Sequence, residues 1–386
     1  MKIAIDAVGI RGYGGAAILC ELLHWLPIVR PDWDWHVFIL KRNLREFDDP
    51  LASGRVTLEH TGDGNSGIAR LRWVNDILPK RLNNIKADVL FSFANIAPAC
   101  PVIPQVVFCH QANAFLPKGL PVYAILRRAR WWFMRRQILR SAVASQAMIV
   151  QTESMRQSIV KAVPFLEERI RVIPSGYRTP SGNPIVRPEK KSLIDQASRP
   201  RLIYVSYPSE HKNHLTLVRA MPDIVAAIPS ACLFLTLAKE RADKYDYYVK
   251  MLQAEAELLG VSKRIVWLGD LTSAEVGYAL HSSDLSVFPS LSESFGLGLV
   301  ESMAAGCPVA ASNMSYAHDV AGDAAEYFDP KSPESLSVSV VHVLTSSGCL
   351  GILRDRGLRR SELYRYDGIA ESLAVLFEKT RKQVSL

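Results

Sequence analysis

Residues 284–311 read Asp-Leu-Ser-Val-Phe-Pro-Ser-Leu-Ser-Glu-Ser-Phe-Gly-Leu-Gly-Leu-Val-Glu-Ser-Met-Ala-Ala-Gly-Cys-Pro-Val-Ala-Ala. The apolar run Leu285 to Phe288 stops at Pro289 and a polar loop follows. Phe295 to Ala305 then offers helix-compatible residues until Gly306, and Pro308 opens another apolar run. This is a strand, loop, helix, strand unit. Parallel sheets take ligands beyond the carboxyl ends of their strands, so the loop Ser290 to Ser294 and the start of the next helix lie where a site is expected.

That loop carries Glu293. Gly296 and Gly298 remove side chains at the helix start, which lets backbone N–H groups and the positive end of the helix dipole approach a phosphate. Glu301 follows eight residues after Glu293, about 12 Å along an ideal helix, so one acid can meet the front of a ligand and the other its rear. The same residues also fit a plainer arrangement, with Ser294 as N-cap, Glu293 as an acid beside a helix N-terminus and Glu301 solvated.

In its setting, Glu293, seven intervening residues and Glu301 resemble the E-x7-E signature of the family-four retaining glycosyltransferases, which have the GT-B fold. The resemblance implies an α/β architecture of two Rossmann-like doubly wound domains facing a cleft. It places the first acid on the donor sugar, the second on the nucleotide ribose, and Gly296, Leu297 and Gly298 among the donor-binding residues. The type implied is one that builds bacterial polysaccharide, lipopolysaccharide or lipid-linked glycans.

Length agrees with two domains, since 386 residues exceed one ordinary core. The expected division is 1–176 for an N-terminal acceptor domain, 177–199 for a linker and 200–367 for a nucleotide-sugar domain, with 368–386 a helix crossing back. The linker stretch contains Pro180, Pro184 and Pro188 and lacks apolar periodicity. With 48% hydrophobic and 22% charged residues the chain is globular. Cys20, Cys100, Cys109, Cys232, Cys307 and Cys349 form no C-x-x-C pair and read as reduced, buried thiols of a cytoplasmic protein. Lys2 to Val8 contains Asp6, so it reads as a strand and not a signal peptide. No apolar run approaches the roughly 20 residues of a membrane span.

After that first strand, Gly9 to Gly15 is a glycine-rich turn into a helix from about Ala16 to Trp25. Its spacing is not G-x-G-x-x-G, and glycine there is also ordinary turn chemistry. By the resemblance, Gly14 and Gly15 face the donor diphosphate and the acceptor. Gln105 to Cys109 is a buried strand ending at His110, on the ligand side of an α/β sheet. A lone histidine is commonly structural, but His110-Gln111-Ala112-Asn113 resembles the family segment near the donor sugar, which makes His110 a site candidate. Asp32 and Asp34 precede a strand instead of following one and read as a solvated turn. The histidines show no metal-ligand spacing.

In the second half, strands and helices alternate, which indicates a parallel sheet covered on both faces. Its first loop runs from Ser206 to His214, with Lys212 just before a helix that Asn213 can cap, where a cation meets a diphosphate. The family has an arginine six residues before that lysine. Here Ser206 stands in its place, which leaves open whether another cation such as Arg11 substitutes or whether the donor differs.

The implied reaction is transfer of a hexose, with retention, from a nucleotide-diphosphate sugar to a hydroxyl of a glycan acceptor. A lipid-linked oligosaccharide or polysaccharide acceptor is expected, and a mannosyl-type donor is favoured. No metal and no cofactor beyond the nucleotide-sugar co-substrate is expected. Glu293, His110 and Lys212 are the catalytic candidates, with Gly14, Gly15, Ser206, Lys212, Gly296, Leu297, Gly298 and Glu301 binding the donor. Two alternatives stay open: a sugar-nucleotide epimerase of the same architecture, and a non-enzymatic basic protein binding membrane or nucleic acid.

The net charge is +8. Between Asp88 and Glu153 there is no acid, while Lys118, Arg127, Arg128, Arg130, Arg135, Arg136 and Arg140 lie there among Trp131, Trp132, Phe133 and Met134. Such a composition suits an anionic membrane surface on the inner face of the cytoplasmic membrane. Trp131, Met134 and Ile138 share one helical stripe, which also fits a core-packed face. No nucleic-acid partner is expected.

Overall fold

The structure, a computed structural model, describes residues 1–10, 13–40, 54–62, 67–115, 125–177, 185–240 and 245–383. The chain divides into two compact α/β units. Met1–Gly176 with Arg365–Leu386 forms one, and Tyr177–Tyr364 forms the other.

The first unit holds a parallel sheet of β1 (Lys2–Asp6), β2 (Asp34–Leu40), β3 (Val56–Thr61), β4 (Val89–Ser92), β5 (Gln105–Phe108), β6 (Ala147–Val150) and β7 (Ile170–Val172), in the order β3-β2-β1-β4-β5-β6-β7. Every residue of β4, β5 and β6 is buried, as expected of strands covered by helices on both faces. The order reverses direction at β1, which makes the carboxyl ends of β1 and β4 a switch point.

The expected helix over Ile68 to Leu82 is interrupted. A wide π turn, Trp73–Ile77, separates Gly67–Arg72 from Leu78–Ile85. Pro79 has no N–H to return to the preceding turn, so the ladder opens there. The Asn75 side-chain amide donates to the Leu71 carbonyl one turn earlier at 2.9 Å. The turn brings Arg70 and Trp73 together on buried Asp6. Its carboxylate accepts two guanidinium N–H groups at 2.9 and 2.7 Å and the indole N–H at 3.0 Å.

The last helix, Tyr366–Lys382, belongs to this first unit. It buries Ile369, Leu373 and Phe377, and the Phe377 ring lies 5.1 Å from that of Phe91 in β4. Arg30, beyond the helix Tyr13–Val29, forks onto Glu371 at 2.8 and 2.9 Å.

The second unit's sheet runs β10-β9-β8-β11-β12-β13, all parallel. The strands are β8 (Arg201–Tyr204), β9 (Cys232–Leu235), β10 (Ile265–Trp267), β11 (Leu285–Phe288), β12 (Val309–Ser312) and β13 (Ala325–Phe328). Here the switch point falls between β8 and β11, the two strands whose following loops carry Lys212 and Glu293.

The structure corrects two expectations and decides between two readings of a third stretch. The stretch 177–199 is not a bare linker: Pro188–Asp195 is a helix of the second unit with Ile194 fully buried. Arg187 at its N-terminus bonds the buried carboxylate of Glu275 at 2.6 and 2.7 Å. The cysteines are free, but only Cys109, Cys232 and Cys307 are buried, and Cys100 is exposed. The stripe Trp131, Met134 and Ile138 packs inward against Val107, Met148 and Val150, so the exposed aromatics of that helix are Trp132 and Phe133. Among the described residues, no single helix is long and apolar enough to cross a membrane.

Candidate active site

Two loops at the carboxyl ends of β8 and β11 build the site of the second unit. After β8 the chain makes a short 3-10 turn, Glu210–Lys212, and Asn213 follows with φ 60°, a left-handed conformation that asparagine tolerates better than most residues. Asn213 occupies the N-cap position of the helix His214–Ala227 without capping it through its side chain. Its amide instead donates to the carbonyls of Pro289 at 3.0 Å and Pro330 at 2.7 Å, and its oxygen accepts from Thr216. The expected cap is therefore a clasp that ties together the loops after β8, β11 and β13.

Lys212 is only 9% exposed, which rules out a solvated surface lysine. Its ammonium donates to Glu293 Oε1 at 2.6 Å, so the two loops meet as an ion pair with both side chains largely out of water. The Tyr207 ring lies 5.1 Å from the Lys212 Nζ and the Phe288 ring 5.9 Å, distances at which aromatic faces favour a cation. Beneath the pair, the fully buried Tyr204 hydroxyl donates to the Lys212 carbonyl at 2.9 Å and lies 2.8 Å from Ser290 Oγ. The Tyr316 hydroxyl donates to the Ser290 carbonyl at 2.7 Å. The Leu291 N–H donates to the His211 carbonyl at 2.8 Å.

The helix after Glu293 is Leu297–Ala304, and its N-cap is Gly296 with φ 94°, not Ser294. That φ lies in the region glycine occupies without steric cost. Gly298 lacks a side chain for a packing reason: a Cβ there would sit 2.9 Å from the Phe288 ring and 3.3 Å from the Val205 carbonyl. Its absence lets the helix lie close on β11. Glu301 is half-buried in this helix. Burial pushes its carboxyl up, and the positive charge of Lys212 opposes that shift. Lys212 thus acts on both acids of the Glu293 to Glu301 stretch.

Ser206 is half-buried in the loop that carries Lys212. Its Oγ lies 2.8 Å from His214 Nε2, and its N–H donates to Thr236 Oγ1 at 3.0 Å. Tyr204, His214, Ser290 and Tyr316 were not singled out by sequence. A tyrosine in the strand Leu-Ile-Tyr and a histidine in a helix read as core or surface residues until the fold stacks them under one loop.

The first unit holds the remaining candidates at the same edge of its own sheet. Gly14 and Gly15 fall in the first turn of the helix Tyr13–Val29, which begins three residues before the expected Ala16. Arg11 lies outside the described residues. His110 follows β5, with its ring against Phe93 and Phe108 at 4.8 and 4.1 Å. Its backbone N–H donates to Asn95 Oδ1 at 2.6 Å, and Nε2 lies 2.8 Å from the Phe93 carbonyl. A carbonyl only accepts, so Nε2 carries the proton and Nδ1 the lone pair. Burial pushes His110 down to about 4, so at neutral pH it is an uncharged acceptor, unsuited to act as a general acid. The side chains of Ala112 and Asn113 lie outside the described residues.

A groove of about 1060 Å³ lined by Ser145, Gln146, Arg156, Glu167 and Arg169 lies at the amino ends of β6 and β7, opposite the ligand edge. Among the described residues, no cluster of histidine, cysteine and acids has the makings of a metal site.

Residues 187–356 match the family described as glycosyl transferases group 1. An uncharacterized glycosyltransferase of Methanocaldococcus jannaschii is 26% identical over 249 residues, 62% of this chain and 61% of that protein. The O-antigen chain mannosyltransferase B of Escherichia coli is 29% identical over 103 residues, 27% of each chain. The chain thus spans less than two thirds of the length of either relative. Among solved structures, Anabaena HepE in complex with UDP and glucose superposes with a TM-score of 0.73 at 15% identity, covering 98% of this chain and 100% of that one.

Proposed function

On the premise that residues 187–356 belong to the glycosyl transferases group 1 family, we propose that the protein transfers a hexose from a nucleotide-diphosphate sugar to a hydroxyl of a glycan acceptor, with retention and without a metal ion. The observation that carries this reading is the Lys212–Glu293 ion pair at 2.6 Å, set at the switch point of a parallel sheet inside the matched residues. A transferase that expels a diphosphate must hold negative charge on the leaving group, and a desolvated ammonium beside a helix start supplies that.

Lys212 has three N–H donors and spends one on Glu293. The others serve diphosphate oxygens. Glu293, held in place by Lys212, accepts hydroxyl groups of the donor sugar, and Glu301 accepts the ribose hydroxyls. His110 offers Nδ1 to a sugar hydroxyl. HepE, whose complex contains UDP and glucose, supports a nucleotide-sugar donor, and the Escherichia coli O-antigen chain mannosyltransferase supports a mannosyl donor and a glycan-chain acceptor. The Methanocaldococcus jannaschii and Escherichia coli relatives are both named as transferases, which does not favour the epimerase alternative.

The acceptor's membrane is the second part of the proposal. Trp132 is 63% and Phe133 45% exposed, and Arg136 lies over the Trp132 ring at 5.7 Å. This pairing suits an anionic headgroup layer. Lys118 lies outside the described residues, as do the side chains of Arg127, Arg128 and Arg130.

The deciding experiment is thermal stabilisation by UDP, GDP, TDP and ADP, followed by turnover of the matching sugar donors with and without acceptor glycans. A nucleotide at a hundred times its Kd adds about 2.7 kcal/mol. Indifference to all four sinks the proposal.

A further inference from the structure

The turn that follows β4 is strained and held from several sides. The Ile96 N–H returns to the Ala94 carbonyl at 2.9 Å around Asn95, whose φ is 68°. A return of two residues around a positive φ is the rare, strained form of the γ-turn. Asparagine tolerates such a backbone better than most residues, but glycine would adopt it without steric cost. The surroundings hold the turn in this form. The Phe93 N–H donates to the Asp6 carbonyl at 3.1 Å and the Asn95 N–H to the Phe108 carbonyl at 3.1 Å. Buried Arg70 donates to the Ile96 carbonyl at 3.3 Å, and the Ala97 N–H donates to Ser141 Oγ at 3.0 Å. The loop after β1 closes on the same turn at Gly9, where a Cβ would lie 2.7 Å from that of Ala94. Backbone strain fixed by contacts from many sides gathers at functional sites.

The side chain at the centre of the turn reaches the loop after β5. Asn95 Oδ1 accepts the His110 N–H at 2.6 Å, and the Phe93 carbonyl, two residues earlier, accepts from His110 Nε2 at 2.8 Å. One turn therefore holds both the main chain and the ring of one histidine. The ring is fixed with its proton on Nε2 and its lone pair on Nδ1, and among the described residues nothing bonds Nδ1.

On the reading of His110 as an acceptor for a hydroxyl of the donor sugar, we propose that Asn95 is the positioning residue of His110. Its side chain anchors the histidine main chain, and its strained turn sets the Phe93 carbonyl against the ring, so that the Nδ1 lone pair keeps one direction. A glycine would make the same turn without the anchor, which is the reason for a side chain at a position with this backbone.

The test joins turnover to histidine-ring NMR in wild type, Asn95→Gly, Asn95→Asp and His110→Ala. Turnover is release of UDP from UDP-glucose or of GDP from GDP-mannose. The ring signals come from isotope-labelled histidine, with His110 assigned by its absence in His110→Ala, and they need no substrate. Wild type is expected to show the His110 proton on Nε2 alone. Asn95→Gly is expected to melt near wild type and to bind UDP or GDP with wild-type affinity, while its His110 ring gives mixed tautomers and its turnover falls about ten- to a hundredfold, as a displaced contact group does. Asn95→Asp, which retains the accepting oxygen, is expected to recover most of that loss. Wild-type ring signals or wild-type turnover in Asn95→Gly overturn the inference. Stability and nucleotide affinity that fall together with turnover reduce Asn95 to a scaffold residue and overturn its positioning role. Wild-type turnover in His110→Ala instead overturns the reading of His110, a result distinguishable from the others because Asn95 is intact in that variant.

Discussion

Glu293 and Glu301 sit in different surroundings, and that difference can be measured. Glu293 is paired with Lys212 at 2.6 Å, whereas Glu301 lies in the helix, its carboxyl raised by burial. Glu301→Ala is expected to weaken nucleotide binding, while Glu293→Ala leaves nucleotide affinity near wild type and removes turnover; equal small effects on both would contradict the division. Lys212→Ala is expected to lower kcat by about a hundredfold or more, as loss of a preorganised charge contact does, and wild-type turnover in that variant would remove the lysine from the chemistry. Charge and spacing marked these three residues as candidates, and their roles came only with the resemblance. The neutral scaffold of Tyr204, Ser290, His214 and Tyr316 was not legible, since nothing in one dimension distinguishes a tyrosine packed in a core from one that holds a loop.

The helix Ser273–His281 begins with a capping box in which Thr272 and Glu275 satisfy each other's backbone N–H groups, and Glu275 also takes Arg187. The Arg187 guanidinium and the Thr272 N–H hold the Glu275 carboxyl down to about 2, from an ordinary 4.5. A carboxyl lowered by folding contributes stability that is fully present above the unfolded pKa and is lost as pH falls through the folded one, here from about 4.5 toward about 2. Arg187 is 46% exposed, so solvent screens the pair and its contribution to stability is modest. Arg187→Met is expected to lower the melting temperature at pH 7 and to flatten its acid dependence in that window, as thermal melts from pH 2 to 7 would register; identical profiles would contradict it. Most elements were visible as apolar runs ended by glycine or proline. The helix Pro188–Asp195 was not, because a single buried Ile194 gives no periodicity, and β7 and β13 were missed because Arg171 and Glu326 interrupt their short apolar runs. The π turn at Trp73–Ile77 likewise has no signature beyond Pro79.

For the molecule as a whole, the charge excess and the exposed pair Trp132 and Phe133 make one prediction. The protein is expected to co-sediment with anionic vesicles at low salt and not with neutral ones, since each basic residue near such a surface contributes about 1 kcal/mol and is screened by salt. Trp132→Ser with Phe133→Ser, or Arg136→Glu, should release it; wild type that ignores anionic vesicles at low ionic strength would point to an acceptor in solution. The two-unit plan was legible from length and alternation. The return of the last helix to the first unit came only with the resemblance, because an amphipathic helix does not name the sheet it covers.

That return has a consequence for how the molecule comes into being. The second unit is one uninterrupted span, Tyr177–Tyr364, whereas the first is written in two pieces on either side of it. A chain emerging from the ribosome therefore holds everything the later unit needs before the earlier one can finish, since Ile369, Leu373 and Phe377 follow the whole of the later unit. Until then the face of Phe91 waits uncovered. The part of the protein made first is the part completed last.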